Sequence, residues 1–189
     1  AGFSSNDVDD FFRPVGTETP QVRGAYSIQC YKNTIDDAFQ DYCRRTRRSP
    51  SDVLQNTELF AFHTPYYRLP LEMIHFMAKK YLDISGTKLD QFLIERDFEA
   101  SIKPAALVGN LYSGALFLSL ASLLNRRYER HGKNMVGEKI LLLSYGSGNT
   151  AVVLSGRVAS KAPELIRNWD LNSTINYSQE AHADDYDNW

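Results

Sequence analysis

The order of apolar and polar residues identifies one segment, residues 105–124, as the most hydrophobic part of the chain. After Asn110 it reads LYSGALFLSLASLL, in which Ser113, Ser119 and Ser122 are the small polar breaks between apolar side chains. A helix of this composition is apolar on nearly every face, yet at about a dozen residues it is too short to cross a membrane. We therefore predict a helix that is buried inside a globular domain.

Strands are predicted both after and before this helix. The continuous run ILLL within residues 139–144 indicates a strand covered on both faces, and a second strand, residues 150–154, follows the turn YGSG. An earlier strand, residues 58–63 (ELFAFH), ends on a histidine and is stopped by Pro65. A buried helix beside covered strands is typical of a layered α/β core.

Amphipathic helices are predicted on both sides of the earlier strand. Apolar side chains recur at helical spacing in residues 26–45 and again in residues 66–81. A weaker pattern predicts a further helix within the polar segment that precedes the buried helix, over residues 89–100.

These elements define one domain, residues 25–160, in a chain of 189 residues. Residues 1–24 are interpreted as a connector because they carry acidic residues followed by a stretch rich in Gly, Pro and Thr. Residues 161–189 are interpreted as a tail whose acidic end is poorly ordered apart from contacts of Tyr186 and Trp189. The chain begins without Met, like the last part of a longer protein.

Composition narrows the range of functions. A net charge of -2 gives no reason to expect nucleic acid or an anionic membrane as a partner. No apolar run is long enough to span a bilayer and no leader opens the chain, so a cytoplasmic protein is expected. Cys30 and Cys43 form no CxxC pair, so neither a disulfide framework nor a metal site is indicated. We interpret both as small buried hydrophobes, with a reactive thiol as the alternative.

Polar features occur at three positions where a ligand could bind such a core. Asn110 precedes the buried helix, where its side chain either caps the first turn or points into a cleft. The turn around Ser147 exposes backbone N–H groups that suit an oxyanion, although such a turn is commonly a simple hairpin. His63 ends a strand at the edge where open α/β sheets bind ligands, although a structural histidine fits the same position.

Several motifs together resemble one known family. DDFFRP near the start, YSIQCY, FHTPYYR, VGNLYSGALFLSLASLL and LLLSYGSG occur in the order found in the C-terminal half of hydroxymethylglutaryl-CoA synthase. The resemblance covers residues 7–158. It implies an α/β, thiolase-like fold in which each of two halves contributes a five-stranded mixed sheet and a buried central helix, and it identifies this chain as one half.

The resemblance also implies an acyltransferase activity. In that family a cysteine is acetylated, a glutamate removes a methyl proton, and the carbanion attacks the ketone of acetoacetyl-CoA before hydrolysis frees the product. His63 and Asn110 match residues that hold the acetoacetyl group, and the backbone N–H of Ser147 matches an oxyanion-hole donor. Neighbouring residues are implied to bind substrate: Pro65, Arg68, Tyr145 and Gly146. Coenzyme A thioesters are implied as substrates, and no cofactor or metal is.

Two features depart from the family pattern. The family commonly has lysine where Arg68 stands, and the two cations are not interchangeable at a phosphate. The nucleophilic cysteine and the glutamate belong to the other half, so the implied partner is a complementary N-terminal half, with a dimer of the completed enzyme. Two alternatives remain open: a polyketide β-branching homologue that acts on substrates bound to acyl carrier protein, and a non-catalytic docking partner.

Overall fold

The computed structural model describes residues 1–177 and 182–184, and it has a mixed α/β architecture. Its strands are β1 (Gly2–Ser5), β2 (Phe11–Phe12), β3 (Gln21–Val22), β4 (Leu59–Phe62), β5 (Lys139–Gly146) and β6 (Thr150–Arg157). Its helices are α1 (Gly24–Thr46), α2 (Pro50–Gln55), α3 (Arg68–Leu82), α4 (Thr87–Glu95), α5 (Phe98–Val108), α6 (Gly114–His131), α7 (Ala162–Ile166) and α8 (Leu171–Asn176), with a 3-10 turn at Gly132–Met135.

The main sheet has the strand order β1-β6-β5-β4. β4 and β5 are parallel, with Phe62 opposite Leu143, whereas β5 and β6 form an antiparallel hairpin in which Gly146 lies opposite Thr150. The sheet of the described residues therefore has four strands where five were predicted. Strand number depends on which distant segments pair, and the periodicity of a single segment carries no information about that.

The N-terminal segment is part of the sheet, which corrects its interpretation as a connector. β1 pairs antiparallel with β6, and Gly2 lies opposite Val153. A Cβ on Gly2 would be 2.2 Å from the backbone N of Tyr42 in α1, so only glycine allows this close approach. The strand was not recognised because it is short and its pairing partner lies at the other end of the chain.

Two apolar clusters cover the two faces of the sheet. Side chains alternate along β4, so that Phe60 and Phe62 enter the cluster formed with α1, α3 and α5, while Leu59 and Ala61 enter the cluster formed with α6. All four β4 residues are buried. In β5, Leu141 and Leu143 enter the first cluster while Ile140 and Leu142 enter the second, so the prediction that the ILLL strand is covered on both faces is confirmed.

The central helix α6 is buried along most of its apolar length. Leu116 and Leu123 pack against the sheet, and within Gly114–Leu124 the exposed residue is Phe117, at 68%. The prediction of a buried helix is confirmed, with Phe117 as the exception. An apolar side chain at that position is left without an apolar layer over it by the described residues.

The first part of the predicted tail also belongs to the fold. Pro163 and Ile166 of α7 are buried, and Ile166 joins the cluster beneath α6. A helix of five residues has too little periodicity to be recognised from sequence. The predicted anchors Tyr186 and Trp189 lie outside the described residues.

The helix predicted over residues 89–100 is divided in two at Asp97. This residue adopts a left-handed conformation (φ 51°) between α4 and α5, and its buried carboxylate accepts hydrogen bonds from Arg127 Nη1 at 3.0 Å and Arg130 Nη1 at 2.5 Å. Arg127 also binds both carboxylate oxygens of Glu138, at 2.8 and 2.9 Å. The cluster of Asp97, Arg127, Arg130 and Glu138 joins the α4–α5 junction to the end of α6 and the start of β5.

We expect Asp97→Asn to destabilise the fold by about 3 kcal/mol, because it leaves buried Arg127 without one of its two carboxylate partners. Asparagine tolerates the left-handed conformation, so the loss reports the charge rather than the backbone. Urea denaturation measures the change, and Asp90→Asn at an exposed site of α4 is the control, with a change within about 0.5 kcal/mol. Equal effects of the two substitutions would contradict the role of the cluster.

Candidate active site

His63 lies immediately after β4, at the edge where the parallel strands β4 and β5 end. Its backbone N–H donates to the Leu143 carbonyl at 2.8 Å, and its carbonyl accepts from the Tyr31 hydroxyl at 3.0 Å. Tyr31 is fully buried in α1, so the backbone of His63 is held by both neighbouring elements. Its side chain is therefore presented at the carboxyl edge of the strands, as the sequence predicted.

The His63 imidazole is a neutral group at neutral pH. Burial lowers its pKa below the ordinary value of 6.5. Its ring centroid lies 6.5 Å from that of Tyr145, and none of the hydrogen bonds formed within residues 1–177 and 182–184 uses the imidazole nitrogens. A neutral imidazole has one N–H donor, which here is available to a ligand oxygen.

The turn after β5 presents the amide of Ser147. Gly148 N–H donates to Asp10 Oδ1 at 2.9 Å, and Asn149 N–H donates to the Asn6 carbonyl at 2.7 Å. For the exposed Ser147, by contrast, the described residues offer its N–H no acceptor. Gly148 has φ +109°, a backbone conformation that favours glycine at this position. Of the two turn glycines, only this one has a positive φ.

Tyr145, just before the turn, is bound to the same aspartate as Gly148. Its ring is buried, and its hydroxyl donates to Asp10 Oδ2 at 2.5 Å. Burial first, and then the Asp10 carboxylate, raise the pKa of the Tyr145 phenol above its usual value, so that the group remains a donor. The predicted contact of Tyr145 with substrate stays a prediction. In this structure the Tyr145 hydroxyl binds Asp10. Gly146, at the end of β5, is exposed.

Asn110 lies in the loop between α5 and α6 and is exposed. Its Oδ1 accepts from Tyr112 N–H at 2.8 Å, which closes a local turn, and α6 begins only at Gly114. The side chain therefore does not cap α6 directly. α6 runs antiparallel to β5, because its last turns contact Glu138 just before β5 begins. The first turn of α6, and the Asn110 loop with it, consequently lies toward the edge that carries His63, although no hydrogen bond joins the two within the described residues.

Arg68 and Pro65 lie between His63 and the body of α3. Pro65 is half-buried, while Arg68 is exposed at the first position of the helix. Arg68 Nε donates to the Tyr67 hydroxyl at 2.8 Å, and its guanidinium lies 5.6 Å from the Tyr67 ring centre. The remaining N–H groups of Arg68 face solvent, where they can bind an anion.

Comparison with known proteins decides the family. A family model described as hydroxymethylglutaryl-coenzyme A synthase C terminal matches residues 2–78 and 71–188. The chain belongs to the hydroxymethylglutaryl-CoA synthase family. It is 33% identical over 159 residues to hydroxymethylglutaryl-CoA synthase of Enterococcus faecalis, an alignment that covers 82% of this chain and 37% of that protein. The chain spans between 37% and 48% of the length of the curated relatives it matches.

Solved structures agree with this assignment. An HMG-CoA synthase complexed with CoA is similar with a TM-score of 0.76 and 30% identity, over 98% of this chain and 44% of that one. The HMG synthase of the curacin biosynthetic pathway, in complex with acetyl donor-ACP, has a TM-score of 0.84 at 20% identity, over 99% and 43% of the two chains. The latter likeness concerns the fold alone. The predicted thiolase-like α/β fold is confirmed.

A groove of about 940 Å³ opens beside this part of the synthase fold. Its lining combines apolar side chains of α3, α4 and α5 with charged side chains of both signs, and includes Tyr67, Leu71, Phe98, Ile102, Asp97, Lys103 and Arg126. Tyr67 lines this groove, and its hydroxyl accepts the hydrogen bond from Arg68. Among the described residues there is no helix with the length and apolarity needed to cross a membrane, and no group of three or more acidic, His or Cys side chains arranged to hold a metal ion.

Sequence reasoning missed the polar residues beneath the turn of this synthase chain. Asp10 is fully buried and contacts both Tyr145 and Gly148, and Asn149 Nδ2 donates to Thr34 Oγ1 at 2.6 Å. Asp10 belongs to the motif DDFFRP, so the motif contained the signal, but nothing local distinguishes Asp10 from its acidic neighbours.

We expect the free energy of unfolding to fall as the pH drops below about 6.5, in part because of His63. Burial lowers the pKa of folded His63, so the unfolded chain binds the proton first and is favoured between the unfolded-state value of 6.5 and the lower folded-state value. His63→Gln should flatten this slope in urea denaturation between about pH 7.5 and about pH 5.5. The control is His75→Gln, at an exposed site, and it should keep the slope. An unchanged slope in His63→Gln would mean that the imidazole is not desolvated.

Proposed function

We propose that this chain supplies the acceptor site, and an oxyanion-hole donor for the acyl-enzyme, in the active site of a hydroxymethylglutaryl-CoA synthase-like enzyme. The main support is that two neutral hydrogen-bond donors lie at the same edge of the sheet, the His63 imidazole and the Ser147 amide. Neither donor has a partner among the described residues. Neutral donors that are fixed in advance stabilise a developing oxyanion without reorganisation. The family to which the chain belongs indicates the reaction in which these two donors would act.

In the proposed reaction, a cysteine of the N-terminal half carries an acetyl group that a glutamate of that half deprotonates. The carbanion attacks the ketone of the acetoacetyl thioester, and the ketone oxygen gains negative charge. His63 donates a hydrogen bond to that oxygen, Asn110 binds the same acyl group, and Ser147 N–H binds the thioester oxygen of the acyl-enzyme. Water then hydrolyses the thioester bond to the cysteine, which frees the product and the cysteine thiol. Neighbouring residues complete the substrate site: Pro65, Arg68, Tyr145 and Gly146.

The nucleophile and the base of this reaction have to come from a complementary N-terminal half. Large apolar side chains are exposed around the start of α6, where such a half would pack: Leu107, Val108, Leu111, Tyr112 and Phe117. A contiguous apolar patch of this kind is typical of a surface covered by a partner. We propose that the completed enzyme is a dimer, as the family resemblance implies, and that the chain by itself does not condense thioesters.

Two substrate classes fit the proposed site. Coenzyme A thioesters are favoured by the sequence VGNLYSGALFL. Of the two compared structures, the one complexed with CoA is the more similar in sequence (30% against 20% identity), whereas the curacin synthase has the higher TM-score (0.84 against 0.76). Acyl carrier protein is the alternative, since the curacin synthase was solved with a donor carrier protein. Arginine at position 68 in place of the family's lysine leaves this choice open. Loading the assembled enzyme with acetyl-CoA or with acetyl carrier protein, and weighing the acyl-enzyme by mass spectrometry, separates the two classes.

A non-catalytic docking partner is the second candidate function. The exposed apolar face of α6 supports it as well, because that face fits a homologous protein whether or not the joint site is active. The assembled pair distinguishes the two: a complex that forms but never condenses acetyl and acetoacetyl thioesters supports docking and contradicts the enzyme.

In the assembled enzyme we expect His63→Ala to reduce condensation by about 100- to 1,000-fold and to leave acetylation of the partner's cysteine within roughly threefold. The imidazole is assigned to the acceptor ketone, which takes no part in acetyl transfer. Single-turnover assays with acetyl and then acetoacetyl thioesters measure the two steps. His75→Ala, exposed on α3, is the matched control and should retain both rates. Full condensation by His63→Ala would make His63 a structural residue.

For the turn we expect the backbone, and not the serine hydroxyl, to determine activity. Ser147→Ala should lose at most about 1 kcal/mol, or roughly fivefold, because the N–H remains. Gly148→Val should lose about 100-fold or more, since valine does not fit φ +109° and the turn must change shape. Gly156→Val is the control, because a Cβ there meets open space. An inactive Ser147→Ala beside an active Gly148→Val would contradict the assignment of the amide.

A further inference from the structure

The segment before the first helix holds the turn that carries Ser147. Asn6 and Asn149 exchange two backbone hydrogen bonds, of 3.1 and 2.7 Å, and Val8 N–H donates to the Gly148 carbonyl at 3.0 Å. These contacts join residues that are 140 or more positions apart in the chain. Residues 6–10, which we name the N-terminal strap, therefore form one wall of the turn.

Asp10 is the side chain of the strap that reaches both ends of the turn. One carboxylate oxygen accepts from Gly148 N–H at 2.9 Å, and the other accepts from the Tyr145 hydroxyl at 2.5 Å. The side chain is fully buried, and no lysine, arginine or histidine of the described residues forms an ion pair with it. A buried carboxylate without a cation is costly unless its hydrogen bonds are specific, so a residue with only a packing role would be better served by an apolar side chain.

Ser147 lies in the chain between Tyr145 and Gly148, the two residues that Asp10 binds. Gly148 N–H is bound by Asp10 and Asn149 N–H by Asn6, so the strap takes up the amides on the far side of Ser147 and leaves the Ser147 N–H available. The same carboxylate also fixes Tyr145, two residues before Ser147. Both flanks of the Ser147 amide are thus attached to a single buried group.

We propose that Asp10 is a positioning residue of the active site, which sets the direction of the Ser147 N–H through its bonds to Gly148 and Tyr145. This inference rests on the proposed function, in which that N–H binds an acyl oxygen. Displacement of a reacting or stabilising group by about 1 Å can cost about two orders of magnitude in rate, so loss of the Asp10 bonds should lower the rate of acyl transfer more than substrate binding.

The test compares three variants in the assembled enzyme. Asp10→Ala removes both bonds, and we expect kcat for acetyl-enzyme formation to fall about 10- to 100-fold while KM changes less than about threefold. Asp10→Asn keeps an acceptor for Gly148 N–H and a donor for the Tyr145 oxygen, so it should recover activity to within about fivefold of the unsubstituted protein. Asp9→Ala is the matched control, because the Asp9 side chain is half exposed and its one ion pair among residues 1–177 and 182–184 is with Arg23 at 3.2 Å.

A second readout follows the turn without using the reaction. Amide hydrogen exchange of the peptide that contains residues 145–149 should accelerate at least about tenfold in Asp10→Ala, less in Asp10→Asn, and not in Asp9→Ala. This ordering separates positioning of the turn from global loss of structure, because a merely unstable variant also loses protection in α1 and β4.

The outcomes distinguish this inference from the proposed function. If the assembled enzyme is active but Asp10→Ala keeps its kcat, or if Asp10→Asn is as impaired as Asp10→Ala, Asp10 does not position the amide. If the assembled enzyme forms no acetyl-enzyme while exchange at the turn still depends on Asp10, the proposed function fails and the attachment of the turn to Asp10 stands. The inference is supported if Asp10→Ala lowers kcat and accelerates amide exchange at the turn, and if Asp10→Asn restores both quantities toward those of the unsubstituted protein.

Discussion

The parallel pairing of β4 with β5 is the interaction on which the rest of the structure depends. Both strands are apolar on both faces, so the pair is stable only between two layers of helices. α1 and α3 cover one face and α6 covers the other. Because parallel strands end at the same edge, the pairing that builds the core also brings His63 and the turn at Ser147 to one side of the molecule.

Burial and hydrogen bonding then decide which polar groups at that edge remain available. Desolvation keeps the His63 imidazole neutral, and the contacts around the turn leave the Ser147 amide as the donor without a partner among the described residues. Two other donors at the turn, the Tyr145 hydroxyl and the Gly148 N–H, both bind Asp10. A site of neutral, fixed donors is suited to stabilising an oxyanion.

The central helix carries an apolar side chain that this chain does not cover. α6 is apolar on nearly all faces, yet Phe117 is exposed. The chain matches less than half the length of its curated relatives. Exposed apolar residues of this kind are typical of a surface that a partner covers, which is the arrangement proposed above.

The sequence by itself determined the features that local patterns encode. Helical and strand periodicity placed the helices, the covered strands and His63 at a strand end, and the motifs identified the family. Tertiary structure alone decided that residues 2–5 form a strand, that Asp97 divides a helix, and that Asp10 binds the turn after β5. The physical reason is that periodicity reports whether a side chain is buried. The strand pairing, the Asp97 ion pairs and the Asp10 hydrogen bonds depend instead on partners 30 or more positions away, which no local pattern specifies.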